Sequence, residues 1–319
     1  MELILIFLIS CFFAINMGAP TFAGSFATAC GSKAIRRNAA SLLFIVFVIL
    51  GAVLLGKEVA NTLSKGIIPV ELITTKSVLI ILFTATLSLF VANLMHIPQS
   101  TSLSTVAAIA GVGIVHHSVN SSKIIFLVIC WVLSTIASFV IIYFSAKFVY
   151  PPRKSNFWIY ERIVHHQQRL KKLVIFTSCY KAFAQGTNNV ANVVGPLVAA
   201  GLIDIKLGMW VMGIIFGLGS FVFRGPMTTS SEKIVPLGLL TATIINLVSG
   251  TITIIASKLG VPLPTVIVYT VAIFAIGTIK DGAHLTLNNP LTKKTFFTWC
   301  INPALTFVLS VILSSVFLK

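Results

Sequence analysis

Gln185-Gly186-Thr187-Asn188-Asn189-Val190-Ala191-Asn192 interrupts an apolar run that extends from 172 to 203. Amide and hydroxyl side chains in the middle of such a run are costly in hydrocarbon unless they line a protein cavity. A second interruption, Asn16-Met17-Gly18-Ala19-Pro20-Thr21, falls within the run 3–35. Another pair, His96-Ile97-Pro98-Gln99-Ser100-Thr101-Ser102 and Gly260-Val261-Pro262-Leu263-Pro264-Thr265, lies further along. Gly18 to Gly186 is 168 residues, and Pro98 to Pro262 and Thr101 to Thr265 are each 164. Two unlike motifs recurring in one order at nearly one offset indicate an internal duplication.

The chain around these motifs has 319 residues, 57% of them hydrophobic and 9% charged, with a mean hydropathy of +1.01. A soluble domain carries about 25% charged residues, so a water-soluble enzyme is excluded. A spanning helix needs roughly 20 mostly apolar residues. About ten runs qualify, near 3–35, 40–60, 77–96, 100–117, 123–148, 172–203, 207–224, 234–257, 262–280 and 295–318. The fourth and ninth are short and hydroxyl-rich enough to be re-entrant. Leu8-Ile9-Ser10-Cys11 loosely matches a lipoprotein cleavage box, but Glu2 replaces a basic n-region and the apolar pattern continues past residue 30. The first run therefore reads as a retained helix. The five cysteines, Cys11, Cys30, Cys130, Cys179 and Cys300, have no CxxC spacing and read as buried thiols.

The longest polar segment follows the fifth run and carries Arg153, Lys154, Arg162, Arg169, Lys171 and Lys172 around Phe157, Trp158 and Ile159. That composition suits a linker helix on an anionic membrane surface. The sequence thus predicts an all-α, polytopic membrane protein: a first transmembrane repeat at 1–150, a basic linker at 151–171 and a second repeat at 172–319. An odd number of spans per repeat inverts one repeat relative to the other, with broken helices at the midplane. With the N-terminus outside, fifteen Lys and Arg collect on the inner face and seven on the outer, leaving Lys181 within a span. This bias favours both termini outside and the linker in the cytoplasm of a plasma-membrane protein. The net charge of +16 suits loops facing anionic lipid and gives no basic face for nucleic acid.

Paired breaks at matching places in inverted halves are the sequence pointer to a transporter's central site. Half-helices starting near Phe22 and Val190 would aim unpaired N–H groups and positive dipole ends at the midplane, where an anion is the natural occupant. At these motifs the chain resembles the inorganic phosphate transporter family, whose repeats carry a GANDVAN-type and a PVSTT-type signature. The resemblance is most specific at Gly186-Thr-Asn-Asn-Val-Ala-Asn-Val-Val-Gly-Pro196, and Gly18 to Lys33 keeps the frame of the first copy. Thr21 and Asn189 stand where the family has aspartates. This departure is similar to the family's sulfate permease branch linked to cysteine biosynthesis, which shares the stretch at 188–201.

The residues point the same way. Glu2, Glu58, Glu71, Glu161, Asp204, Glu232 and Asp281 all fall at span ends or in loops, so no carboxylate is expected at the midplane. Hydrogen phosphate has a P–OH that a carboxylate accepts, whereas sulfate would meet that carboxylate as a like charge. Lack of hard anionic ligands also weakens sodium coupling and favours protons. The reading is a secondary transporter taking up sulfate by alternating access. The alternatives are a sodium- or proton-coupled phosphate transporter, a channel, or a membrane enzyme, for which no HExxH, carboxylate pair or Ser–His arrangement is present.

Candidate substrate ligands are Asn188, Asn189 and Asn192, whose competing role is to satisfy backbone groups at a helix break. Ser100, Thr101 and Ser102 divide between substrate contact and capping, Thr21, Ser25 and Thr28 between contact and helix packing, and Thr265 follows from the repeat. Lys181 is read either as a counter-charge or proton-carrying group, or as a side chain snorkelling about 12 Å to a helix start near residue 173. The adjacent pairs His116-His117 and His165-His166 diverge on a helix. No metal site or cofactor is expected, the partners are an oxyanion, a coupling proton and the bilayer, and a homodimer is left open.

Overall fold

The computed structural model describes residues 2–318 apart from 96, 98, 150–153 and 223–237, with the backbone alone at 160 and 163–165. His96, Pro98, Arg153 and Glu232, named above, lie outside the described residues, as does the side chain of His165, and so do three of the basic residues counted in the topology, Arg224, Lys233 and Lys319. The described regular elements are all helical: α1 (Glu2–Gly31), α2 (Arg37–Leu55), α3 (Lys57–Asn61), α4 (Thr75–Leu94), α5 (Thr101–Val115), α6 (Ser121–Val149) and α7 (Phe157–His165). They continue with α8 (Gln167–Asn189), α9 (Ala191–Ala199), α10 (Ile205–Val222), α11 (Leu239–Lys258), α12 (Thr265–Lys280), α13 (Ala283–Asn288) and α14 (Pro290–Phe317). A π-helical turn, Thr62–Gly66, and a 3-10 turn, Val70–Leu72, follow α3.

Seven of these helices, α1, α2, α4, α6, α10, α11 and α14, are long and apolar enough to cross a membrane. Helices α5 and α12 have 15 and 16 residues, about 23 Å of rise against a hydrocarbon core of about 30 Å. Helix α8 is long enough, but its amides and lysines keep it polar. Residues 167–171, expected in the linker, form its first turn. Within the linker, α7 leaves Phe157 and Trp158 exposed.

The expected break in the first run is absent, because α1 passes through Pro20 without interruption. Proline removes its own N–H and frees the carbonyl four residues earlier. That carbonyl belongs to Asn16, and Asn93 of α4 donates to it at 3.0 Å. The second expected break shrinks to one residue: only Val190 separates α8 from α9, and its φ of −61° and ψ of −33° remain helical. No half-helix begins at Phe22. The deep helix starts are those of α5 and α12, which follow the non-helical stretches ending in Ser100 and Pro264.

The major contacts come in pairs. Helix α1 packs on α10 and α8 on α2; α1 packs on α4 and α8 on α11; α14 packs on α5 and α6 on α12. Glycines make the closest of these crossings. A Cβ on Gly18 would strike the backbone of Phe216 and Gly219, and one on Gly186 would strike the backbone of Val48. Gly219 meets Ile15 and Gly18 in return, and Gly51 meets Phe183. Each of Gly18/Gly186, Gly51/Gly219, Ile15/Phe183 and Val48/Phe216 is separated by 168 residues, so the two crossings are built from equivalent positions.

Candidate functional site

Helix α8 and its continuation α9 carry Lys181, Gln185, Asn189 and Asn192 at spacings of four, four and three, which puts them on one face. All four are buried. The amide nitrogen of Asn189 donates to Gln185 Oε1 at 2.8 Å and to Thr21 Oγ1 at 3.4 Å. Its amide oxygen accepts from the Thr265 hydroxyl at 3.3 Å. Thr21 and Asn189, the two repeat-equivalent positions 168 residues apart, therefore touch. The close glycine crossings of α1 on α10 and α8 on α2 hold the two helices that bring them together.

One turn further on, Asn192 Nδ2 donates to Thr101 Oγ1 and Ser102 Oγ, both at 3.2 Å, at the start of α5. Among the described residues neither hydroxyl proton has an acceptor, and Asn192 Oδ1 is buried without a partner. Turning that amide over lets both hydroxyls donate to Oδ1 and frees Nδ2. Either way the start of α5 holds unused donors beside its first-turn N–H groups, an arrangement that favours an anion. Ser100 caps α5 by accepting from Leu103 N at 3.4 Å.

Asn188 has different employment. Its Nδ2 donates to Ser257 Oγ at 3.0 Å and to the Val261 carbonyl at 2.9 Å, and its Oδ1 accepts from Leu263 N at 2.9 Å. It pins the stretch that leads from α11 into α12. Ser25 donates to the Thr21 carbonyl at 3.1 Å, and its own carbonyl accepts from Asn246, which also donates to Ser178. Thr28 is half-buried, about 10 Å along α1 from Thr21, with no side-chain hydrogen bond to the cluster.

Lys181 is fully buried, its Nζ has no hydrogen-bond partner and it lies 5.9 Å from the centre of the Tyr269 ring. The snorkelling reading is overturned: α8 starts at Gln167, about 21 Å away by helix rise, and the side chain reaches no water. Sequence reasoning passed over Gln185 and Tyr269 as site residues. Gln185 lies one turn before Asn189 in the quoted motif, so its spacing was the available signal. A second network, Gln99 with Ser88, Ser104 and Asn302, depends on long-range packing and had no sequence signal. Glu2, Glu58, Glu71, Glu161, Asp204 and Asp281 are all exposed, and no cluster of metal-ligating side chains occurs among the described residues.

A deep cluster of amides and hydroxyls on paired helices is what a family comparison can place. The model of the phosphate transporter family matches residues 17–310. The chain belongs to this family. A relative named as the sulfate permease CysP of Bacillus subtilis (strain 168) is 37% identical over 314 residues, covering 98% of this chain and 87% of that protein. A putative phosphate permease of Thermococcus kodakarensis is 27% identical over 368 aligned positions, covering 89% of this chain and 90% of its own. Among solved structures, one titled the sodium-dependent phosphate transporter superposes with a TM-score of 0.82 at 25% identity, covering 99% of this chain and 98% of that one. The protein is accordingly a multi-pass membrane transporter of the phosphate transporter family and not an enzyme.

Proposed function

We propose that the protein takes up sulfate across the plasma membrane by proton-coupled alternating access. The observation that carries this reading is the composition of the buried cluster: Thr21, Asn189, Thr265, Asn192, Thr101 and Ser102 supply amides and hydroxyls, while every described carboxylate is exposed. Sulfate has only acceptor oxygens at neutral pH, so a site of donors fits it, and a buried carboxylate would repel it. The 37% identity to a sulfate permease supports the same choice. Phosphate is the second reading, favoured by the putative phosphate permease relatives and by the sodium-dependent neighbour.

The transport path follows from two inverted repeats of five segments, 1–150 and 172–319, joined by the cytoplasmic linker, with both termini outside. The paired helix contacts and the four glycines at one offset support this duplication. The binding group is Asn189, Asn192, Thr21, Thr101, Ser102 and Thr265, with Ser25 and Thr28 on the linker side. Asn188 and Ser100 act beside them by holding the starts of α12 and α5. Radiolabelled sulfate uptake into proteoliposomes, with unlabelled phosphate as competitor, tests this assignment. Phosphate-resistant uptake driven by an inward proton gradient supports it, and uptake abolished by excess phosphate overturns it.

A further inference from the structure

The four α8 and α9 side chains continue as a ladder whose other rails are α1 and α12. Asn189 meets Thr21 and Thr265. One turn on along α12, Tyr269 meets Lys181, and one turn on along α1, Ser25 lies under the Asn246 amide. The ladder therefore runs from the Asn192 and Thr101 level through Asn189 and Gln185 to Lys181, whose Cα is about 12 Å from that of Asn189 by helix rise, on the side of the linker. At Gly24 an added Cβ would lie in ordinary van der Waals contact with the Tyr269 ring, at 3.8 Å. At the end of this polar column stands a lysine side chain whose nitrogen has no hydrogen-bonding partner and no exposure.

An ammonium in a membrane interior is costly even on insertion scales. A mobile anion would supply the partner that an ammonium lacks at this depth. A ring face within about 6 Å offers only a weak substitute. A transporter that brings sodium alongside its anion neutralises part of the anion's charge with the co-transported ion. Here the described carboxylates are all exposed, so the ladder offers sodium no anionic ligand, and it holds a covalently tethered basic group instead.

We infer that Lys181 is the resident counter-cation of the transport path, holding the oxyanion at a second station between the midplane cluster and the linker face and making a sodium ion unnecessary. This rests on the reading of the cluster as an oxyanion site and does not depend on which oxyanion it takes. During each cycle the anion passes from the amides and hydroxyls to the ammonium, and the ammonium stays behind.

The test is counterflow in proteoliposomes preloaded with unlabelled anion, in choline buffers free of sodium, for wild type, Lys181→Arg and Lys181→Met. Sulfate is the probe, with inorganic phosphate run in parallel. The expected result is sodium-free exchange by wild type, exchange within about threefold of wild type for Lys181→Arg, and a KM raised at least tenfold for Lys181→Met, not recovered by added sodium. Lys181→Met exchanging as wild type overturns the inference, as does a wild type that exchanges only in sodium. A sodium requirement in wild type overturns the inference even where a variant fails to fold. A wild type that exchanges phosphate but not sulfate overturns the sulfate reading alone, and one that exchanges neither overturns both.

Discussion

Two glycine-to-alanine changes six residues apart on α10 should behave in opposite ways. At Gly219 the atoms nearest an added Cβ are all backbone of α1: the Ile15 carbonyl, with its carbon at 3.0 Å, and Gly18 Cα, also at 3.0 Å. Carbon atoms rest at about 3.5–4.0 Å, so the helices must part by on the order of 1 Å. Overpacking of this kind costs about 1–3 kcal/mol, and a carbonyl cannot swing aside as a side-chain tip can, so about 3 kcal/mol applies. At Gly213 the nearest atom is the Ile49 side chain at 3.5 Å, an ordinary contact. Alanine there keeps the helix-propensity gain of about 1 kcal/mol. That gain is common to both positions and cancels, leaving a difference of about 3 kcal/mol, or about 4–5 °C in thermal midpoint at an unfolding entropy of about 2.1 cal/mol/K per residue over 319 residues. The assay is the loss of monodisperse protein after heating in detergent, alongside uptake. Gly219→Ala should melt well below Gly213→Ala and lose uptake, because parting α1 from α10 displaces Thr21 from Asn189, which it meets at 3.4 Å. Equal midpoints for the two variants would refute the backbone-crossing argument.

Asn188→Ala should destabilise the protein more than Asn192→Ala, since it strands Leu263 N and its neighbours at about 1–3 kcal/mol per buried group; thermal midpoints compare them. Thr101→Val together with Ser102→Ala should raise the KM for the anion at least tenfold, because the two hydroxyls and the Asn192 amide leave donors unused without substrate, and should also lower the midpoint, because it strands the buried Asn192 amide. Asn189→Asp should depress sulfate uptake by at least tenfold and phosphate uptake less, since a carboxylate repels sulfate and accepts from a protonated phosphate; equal losses would contradict the charge argument. Gly186→Ala should reproduce Gly219→Ala, because Gly186 makes the equivalent backbone crossing of α8 on α2.

The sequence alone was enough to show an all-helical membrane protein, because that follows from composition and from long apolar runs. It misplaced the deep helix starts. Pro20 looked like a break, yet Asn93, 77 residues from Asn16, accommodates it by hydrogen bonding to the carbonyl that proline frees. Such a rescue depends on a distant helix and leaves no local mark. The amides of 185–192 were visible as a group, but their division of labour was not. Asn188 faces the 257–263 stretch and is consumed by it, whereas Asn189 and Asn192, on the adjoining face, meet Thr21, Thr265 and the start of α5. One residue of helical rotation makes that difference, and only the packing fixes which way it falls. The glycines at 51 and 219 were overlooked because one glycine in an apolar run is unremarkable until its partner is known.

The central claim is that a carboxylate-free cluster of amides and hydroxyls selects sulfate. Its most direct measurement is radiolabelled sulfate accumulation in proteoliposomes with proton and sodium gradients imposed separately and excess unlabelled phosphate present. The account predicts accumulation driven by the inward proton gradient, undiminished by phosphate and lost in Asn189→Ala. Accumulation that needs sodium, or that phosphate abolishes, would contradict it.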